Sequence, residues 1–234
     1  MLEITPRDRL IFPLDLPDWV TARKMAHSLN GHVGWFKVGL ELFIAEGPSV
    51  LARLRELAPE TKIFLDLKLH DIPTTVGLAM AAAARLKPDM ITVHAQGGVA
   101  MMRAAVERAE KTLVLAVTVL TSLNPVVLEE LTPACQASGA LVAILAARAG
   151  QAGCGGLVAS GQEARFLKAT FPQLRLIIPG IRPAWAQVAG DDQQRTATPA
   201  QAVRAGADYL VIGRPIREAR DPAEAADRIS VELA

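Results

Sequence analysis

The chain has 234 residues, a net charge of +1 at neutral pH and 51% hydrophobic residues, enough apolar material for one large domain spanning 1–234 and too little charge imbalance for a polyanion binder. It has no block of like charges and no basic stripe set with aromatics, and no apolar stretch approaches the ~20 residues that cross a bilayer, so neither nucleic acid nor membrane is an expected partner. Two cysteines, Cys135 and Cys154, imply no disulfide framework, and the scattered His27, His32, His70 and His94 without CxxC or HExxH spacing give no metal site.

Residues 1–9 lack the apolar core of a signal peptide, and a cytoplasmic protein is expected. From there, short apolar runs alternate with helical spacing. Strands are predicted at 10–15, 34–40, 62–68, 89–94, 113–120, 156–160, 175–179 and 208–213. Helices are predicted between them, at 76–86, 100–111, 139–149, 161–170 and 199–205. Three junctions (Lys87-Pro88-Asp89, Gly153-Cys154-Gly155 and Gly206-Ala207-Asp208) each stop a helix with Gly or Pro just before a buried strand. Eight such units without a change of composition predict an α/β protein, a single (β/α)₈ TIM barrel. A doubly wound sheet is the runner-up, but no GxGxxG follows an early strand.

In a barrel, function sits at the carboxyl ends of the strands. Asp15 ends the first strand and Lys37 falls late in the second; His94, Thr121 and Arg214 occupy similar places. The third strand is the most informative. Residues i and i+2 share a face, so Phe64, Asp66 and Lys68 point one way while Ile63, Leu65 and Leu67 point the other. Charges on a buried face must pair, and Lys37 on the neighbouring strand can join them, with Asp71 following in the turn. Such an alternation keeps each Lys protonated and each Asp ionised, which suits a general acid better than an imine-forming nucleophile.

Two connections are long, 121–138 and 180–198. Long loops in compact domains are commonly functional, and the second is polar enough to cover an anionic ligand. The eighth strand ends Ile212-Gly213-Arg214-Pro215. Backbone N–H groups there, with the Arg214 guanidinium and Arg182 from the facing loop, suit a phosphate.

These pieces together resemble the bacterial orotidine 5′-phosphate decarboxylase family over nearly the whole chain. The resemblance lies in Leu14-Asp15, Phe36-Lys37-Val38-Gly39, Asp66-Leu67-Lys68-Leu69-His70-Asp71-Ile72-Pro73-Thr74-Thr75, Val117-Thr118-Val119-Leu120-Thr121-Ser122, Pro179-Gly180-Ile181-Arg182-Pro183, Gly190-Asp191-Asp192-Gln193 and Val211-Ile212-Gly213-Arg214-Pro215. It implies loss of CO₂ from orotidine 5′-monophosphate, the last step of de novo UMP formation, by a homodimer with no metal or organic cofactor. Lys37, Asp66 and Lys68 are then the charged array, completed by Asp71 of the other subunit. Asp15 and Lys37 meet the ribose, with Thr75 of the other subunit, and Thr121 and Ser122 meet the pyrimidine edge. Pro179, Arg182, Gly213 and Arg214 belong to the substrate-binding set, with Arg182, Gly213 and Arg214 on the phosphate. A glutamine closes over that phosphate; counting back from Thr198-Pro199 favours Gln193 over Gln194. Pro13 inside the first strand removes one ladder donor.

Two other readings compete. The DxKxxD strand is shared with magnesium-dependent sugar-phosphate decarboxylases and aldolases, for which Glu41 is the single candidate extra ligand near the second strand. A non-catalytic nucleotide-binding barrel is the other, although no member of the charged array is missing.

Overall fold

Among the described residues, eight parallel strands close on themselves in chain order, β1 beside β2 and onward until β8 pairs back with β1. The computed structural model describes residues 4–123, 125–131, 138–186 and 197–233. The first half runs β1 (Leu10–Pro13), α1 (Trp19–Leu29), β2 (Trp35–Val38), α2 (Leu40–Glu46), α3 (Ser49–Leu57), β3 (Lys62–Leu69), α4 (Pro73–Ala84), β4 (Met90–His94) and α5 (Gly98–Val106). The second half runs β5 (Leu113–Val117), α6 (Pro125–Leu131), α7 (Ser138–Ala152), β6 (Gly156–Val158), α8 (Ala164–Thr170), β7 (Arg175–Ile178), α9 (Pro199–Arg204), β8 (Tyr209–Val211), α10 (Arg214–Arg217) and α11 (Pro222–Glu232). This is the (β/α)₈ barrel expected from the alternation, and the closed ring removes the doubly wound alternative.

The strands are apolar on both faces because both are covered. Inward side chains Ile11, Trp35, Phe64, Met90, Leu115 and Ile177 pack together inside the ring. Their neighbours Leu10, Phe12, Phe36, Ile63, Leu65 and Ile91 belong to a separate outer layer under the helices. Phe64 thus lies inside and Ile63 and Leu65 outside, as parity requires. The interior is a filled core rather than a pore, so a ligand can enter only above it.

Local signals place the elements. Asp18 caps α1 through Thr21 N, Asp221 caps α11 through Ala223 N and Glu224 N, and Thr198 forms a capping box with Gln201 at α9. Gly47, at φ +67°, ends α2 in a conformation that costs a side chain but not glycine. Pro13 closes β1 rather than breaking it. It sits in register with Lys37, and the ladder resumes at once with Leu14 N donating to Lys37 O at 2.8 Å. The connection after β5, read from sequence as a loop, contains α6, whose first residue is Pro125, a position where proline loses no helical bond.

Candidate active site

The strand ends above the core enclose a cavity of about 550 Å³. Four charged side chains on one wall form a continuous chain of contacts. Lys37 Nζ is 2.9 Å from Asp15 Oδ1 and 3.3 Å from Asp66 Oδ2, and Lys68 Nζ is 2.8 Å from the same Asp66 oxygen. Parity puts Lys37 and Asp66 on the inward face of adjacent strands; Lys37 is level with Phe64, two residues before Asp66, and its long side chain reaches up to the carboxylate. The order is Asp15, Lys37, Asp66, Lys68.

Electrostatics follow from this order. Burial opposes the charge on Lys37, but Asp66 and Asp15 outweigh it and hold the ammonium above its ordinary value. Burial likewise opposes the Asp66 carboxylate, but Lys37 and Lys68 outweigh it, with hydrogen bonds from Lys68 and Thr92, and keep it below its ordinary value. At the centre of the chain the Lys37 ammonium and the Asp66 carboxylate thus hold each other charged. Lys68 is the more open of the two ammonium groups, its side chain 31% exposed against 10% for Lys37.

Lys68 owes that position to an irregularity in β3. Its φ is +50°, left-handed for a residue with a side chain, and the β3–β4 register shifts between Leu65 and Leu69. Backbone of this kind costs on the order of 1–3 kcal/mol and persists only where the surroundings impose it. Here Thr92 on β4 imposes it. Its Oγ1 accepts the Lys68 N–H at 2.9 Å and donates to Asp66 Oδ1 at 2.9 Å. A bulge re-aims a side chain, and this one aims an ammonium into the cavity.

The ends of β7 and β8 add Pro179, Gly180, Arg182, Gly213 and Arg214 to the lining, the β8 end lying beside β1, and Thr121 joins them from beyond β5. Gly213 is required sterically, since a Cβ there would stand 2.9 Å from Pro13 Cγ. The apolar lining comes from Pro13, Phe64, Val117, Val119, Leu120, Val158, Ala159 and Val211. The lining thus combines a charged array, a cationic rim and apolar side chains, polar and apolar surface in nearly equal measure. The arrangement suits a flat polar ring bearing an anionic tail.

The other expected residues lie elsewhere. Asp71 is exposed, its carboxylate accepting the Ile72 N–H, and Thr75 is exposed on α4; neither lines the cavity. Ser122 is exposed and also outside the lining, and Glu41 is exposed on α2. Gln193, Gln194 and the Gly190-Asp191-Asp192 segment fall outside the described residues, as does Cys135. His94 ends β4 half-buried beside His70, with ring centroids 5.4 Å apart; burial and His70 push it down from its ordinary value. Burial pushes the Cys154 thiol up to about 12, so it is inert at neutral pH.

Two residues were missed from sequence. Thr92 lies two positions before His94 on the same strand face, so parity could have found it. Arg217 lines the cavity and donates to Asp15 O at 3.2 Å; it follows Arg214 by three positions, one helical turn. Among the described residues no group of three or more His, Cys, Asp or Glu side chains is arranged to hold a metal ion, and no helix is long and apolar enough to cross a membrane.

Fold and site define a (β/α)₈ barrel with a lysine–aspartate array and a cationic rim. Its sequence matches the orotidine 5′-phosphate decarboxylase / HUMPS family over residues 8–229, and the chain belongs to that family. It is 50% identical over 221 residues to the orotidine 5′-phosphate decarboxylase of Thermobifida fusca (strain YX), covering 94% of this chain and 93% of that one. To the enzyme of the same name from Anaeromyxobacter dehalogenans it is 47% identical over 230 residues, covering 97% and 99%. The crystal structure of orotidine 5′-phosphate decarboxylase from Lactobacillus acidophilus superposes with a TM-score of 0.84 at 34% identity, covering 96% and 98%.

Proposed function

We propose that this protein is a single-domain, cytoplasmic homodimer that decarboxylates orotidine 5′-monophosphate to uridine 5′-monophosphate, the last step of de novo UMP formation. The observation that carries the reading is the unbroken contact chain from Asp15 to Lys68, lining one cavity together with Arg182, Gly213 and Arg214.

Breaking the bond between C6 and the carboxylate leaves an electron pair on C6 with no conjugated sink. Stabilisation must come from charge already in place. Lys68 supplies it as the ammonium most open to the cavity, then transfers a proton to C6 and recovers one from solvent. Asp66, held ionised between two lysines, repels the substrate carboxylate and loses that repulsion as neutral CO₂ departs. The same carboxylate fixes Lys68, so one group serves both ends of the step. Asp15 and Lys37 take the ribose hydroxyls, Thr121 and Ser122 the pyrimidine edge, and the rim of Pro179, Arg182, Gly213 and Arg214 the tail bearing the phosphate. Binding that remote group orients the ring against Lys68.

Asp71 and Thr75 complete the site of the other subunit. Support comes from their exposure beside Ile72 and Leu78, which are 66% and 61% exposed, an apolar surface of the kind that marks an interface. Gln193 closes over the phosphate in this reading.

The test is ultraviolet loss of orotidine 5′-monophosphate by purified protein, with and without EDTA. Turnover indifferent to EDTA is expected. A folded protein without turnover, or one that needs magnesium, turns the assignment toward the sugar-phosphate branch.

A further inference from the structure

The Arg182 part of the cationic rim is carried by the segment that follows β7. Its near end is fixed from within the barrel: Arg182 N donates to Ala197 O at 2.9 Å, and Ile181 bridges Ala197 in parallel. Its far end is fixed from outside. Trp185 lies in a 3₁₀ turn, Ala184–Ala186, and its indole reaches across to α11. There Nε1 donates to Glu232 Oε1 at 2.9 Å, and the Arg228 guanidinium lies 4.3 Å from the ring centroid. Arg228 and Glu232 are four residues apart on one helix face, so they grip the ring from two directions.

The helix making this grip is itself anchored. Ala225, Ala226 and Ile229 are buried, Asp221 caps the first turn, and His32 Nδ1 lies 2.8 Å from Asp227 Oδ1. The indole therefore ties the far end of the rim segment to a fixed part of the barrel. Arg182, 7% exposed, sits at the near anchor with its guanidinium donating to Ile181 O at 2.9 Å, and the indole fixes the chain three residues further on.

We infer that Trp185 is a positioning residue for phosphate recognition, a strut from α11 that sets the Arg182 guanidinium at the cavity rim. The inference rests on the proposed decarboxylase reading for the substrate, but its mechanical part needs only an anion at that rim. A small displacement of a binding group costs more than the energy of the tether that holds it, since recognition depends on where the charge stands. A cation–π contact and a charge-assisted hydrogen bond together amount to about a tenfold change in an equilibrium constant.

The experiment compares wild type, Trp185→Ala and Trp185→Phe on orotidine 5′-monophosphate and on orotidine, which lacks the phosphate. Calorimetric titration with inorganic phosphate provides a second readout. Trp185→Ala is expected to lower kcat/KM for the phosphorylated substrate about tenfold, mainly through KM, and to weaken phosphate binding by a similar factor. Turnover of orotidine stays within about twofold, because no phosphate is there to be positioned. Trp185→Phe keeps a ring over Arg228 but lacks the N–H, and recovers part of the activity. In an Arg182→Ala background, Trp185→Ala adds nothing further.

Equal losses on both substrates, a lowered melting temperature with unchanged phosphate affinity, or additivity with Arg182→Ala would each overturn the strut. If wild type leaves orotidine 5′-monophosphate untouched, the decarboxylase reading fails on its own and the phosphate titration decides. Affinity unaltered by Trp185→Ala, or no phosphate binding by wild type, then removes the strut as well.

Discussion

The Lys68 amide donates to Thr92 Oγ1 at 2.9 Å, and this bond between neighbouring strands holds a backbone at φ +50°. The same hydroxyl donates to Asp66, so one threonine fixes both the direction of the ammonium and the orientation of its carboxylate partner. Thr92→Val preserves shape and removes both bonds. It leaves a buried carboxylate oxygen and a strained N–H without their partner, a cost of about 1–3 kcal/mol in unfolding free energy. kcat/KM should fall about 100-fold or more, because Lys68 is no longer pre-aimed. Urea melts and steady-state kinetics on the same preparation check both. Full activity in a destabilised Thr92→Val protein would mean that the bulge holds without the threonine.

The Asp66 carboxylate lies between two ammonium groups, and its lowered value makes a statement about stability against pH. A carboxyl depressed by folding contributes stability that is complete above its ordinary value of 3.8 and is lost as pH falls through the lower folded value. Lys37, raised by its carboxylates, contributes below its ordinary value of 10.5 and loses that contribution as pH rises through the higher folded value. Between these limits the pair adds no pH dependence. Asp66→Asn is expected to cost about 3 kcal/mol near neutral pH, since it leaves two lysines with one carboxylate fewer. The difference from wild type should stay flat from about pH 5 to 8 and shrink below about pH 4. A difference that persists unchanged into acid would show that the carboxylate's charge is not what stabilises the fold.

The exposed position of Asp71 bears on assembly. Lys68→Ala and Asp71→Asn each disable one part of every site if the carboxylate crosses between subunits. Each is expected to lower kcat by about 10⁴-fold or more, since Lys68→Ala removes the ammonium that stabilises and protonates C6 and Asp71→Asn removes a charge from the array that holds it. Mixed and allowed to exchange, they form hybrids with both lesions in one site and none in the other. Random pairing of equal amounts then restores about a quarter of wild-type activity. Exchange proven by mass labelling without recovered activity would place Asp71 in its own subunit's chemistry.

The centres of all eight strands were legible because apolar parity and Gly or Pro stops are local signals. Their ends were less so: 113–120 stops in the structure at Val117 and 208–213 at Val211, where the ladder gives way to turns set by neighbouring strands. Lys37, Asp66 and Lys68 could be brought together on paper because strand parity and barrel order are nearly sufficient to do it. The bulge at Lys68 could not, since the bond that holds it comes from Thr92 on the next strand, 24 positions away. Arg217 was hidden for a related reason: its role depends on Asp15 O, 202 positions distant. The helix within 121–138 was legible in principle, from proline followed by Val126-Val127-Leu128-Glu129-Glu130-Leu131, and was obscured by the length of the connection.

Gly39 offers the sharpest test of the array's geometry. It follows β2 directly and caps α2 with extended backbone at φ −91°, so nothing in its own conformation demands glycine. Space does. A Cβ at this position would lie 2.6 Å from Asp15 Oδ1 and 3.1 Å from Lys37 Nζ, between the two groups that form the first link of the chain. The carboxylate must then move away, and Lys37 loses one of the two partners that offset its burial. Because Asp15 is half-exposed, the fold can absorb the shift, and the melting temperature of Gly39→Ala should fall by only a few degrees, about 1 kcal/mol. The site cannot absorb it so cheaply, as Asp15 and Lys37 are placed to meet the ribose. kcat/KM is expected to drop about tenfold or more, mostly in KM, for a ligand held through hydroxyls that the displaced pair no longer reaches. Equal kinetics in wild type and Gly39→Ala would mean that the Asp15–Lys37 contact is a structural ion pair with no part in binding.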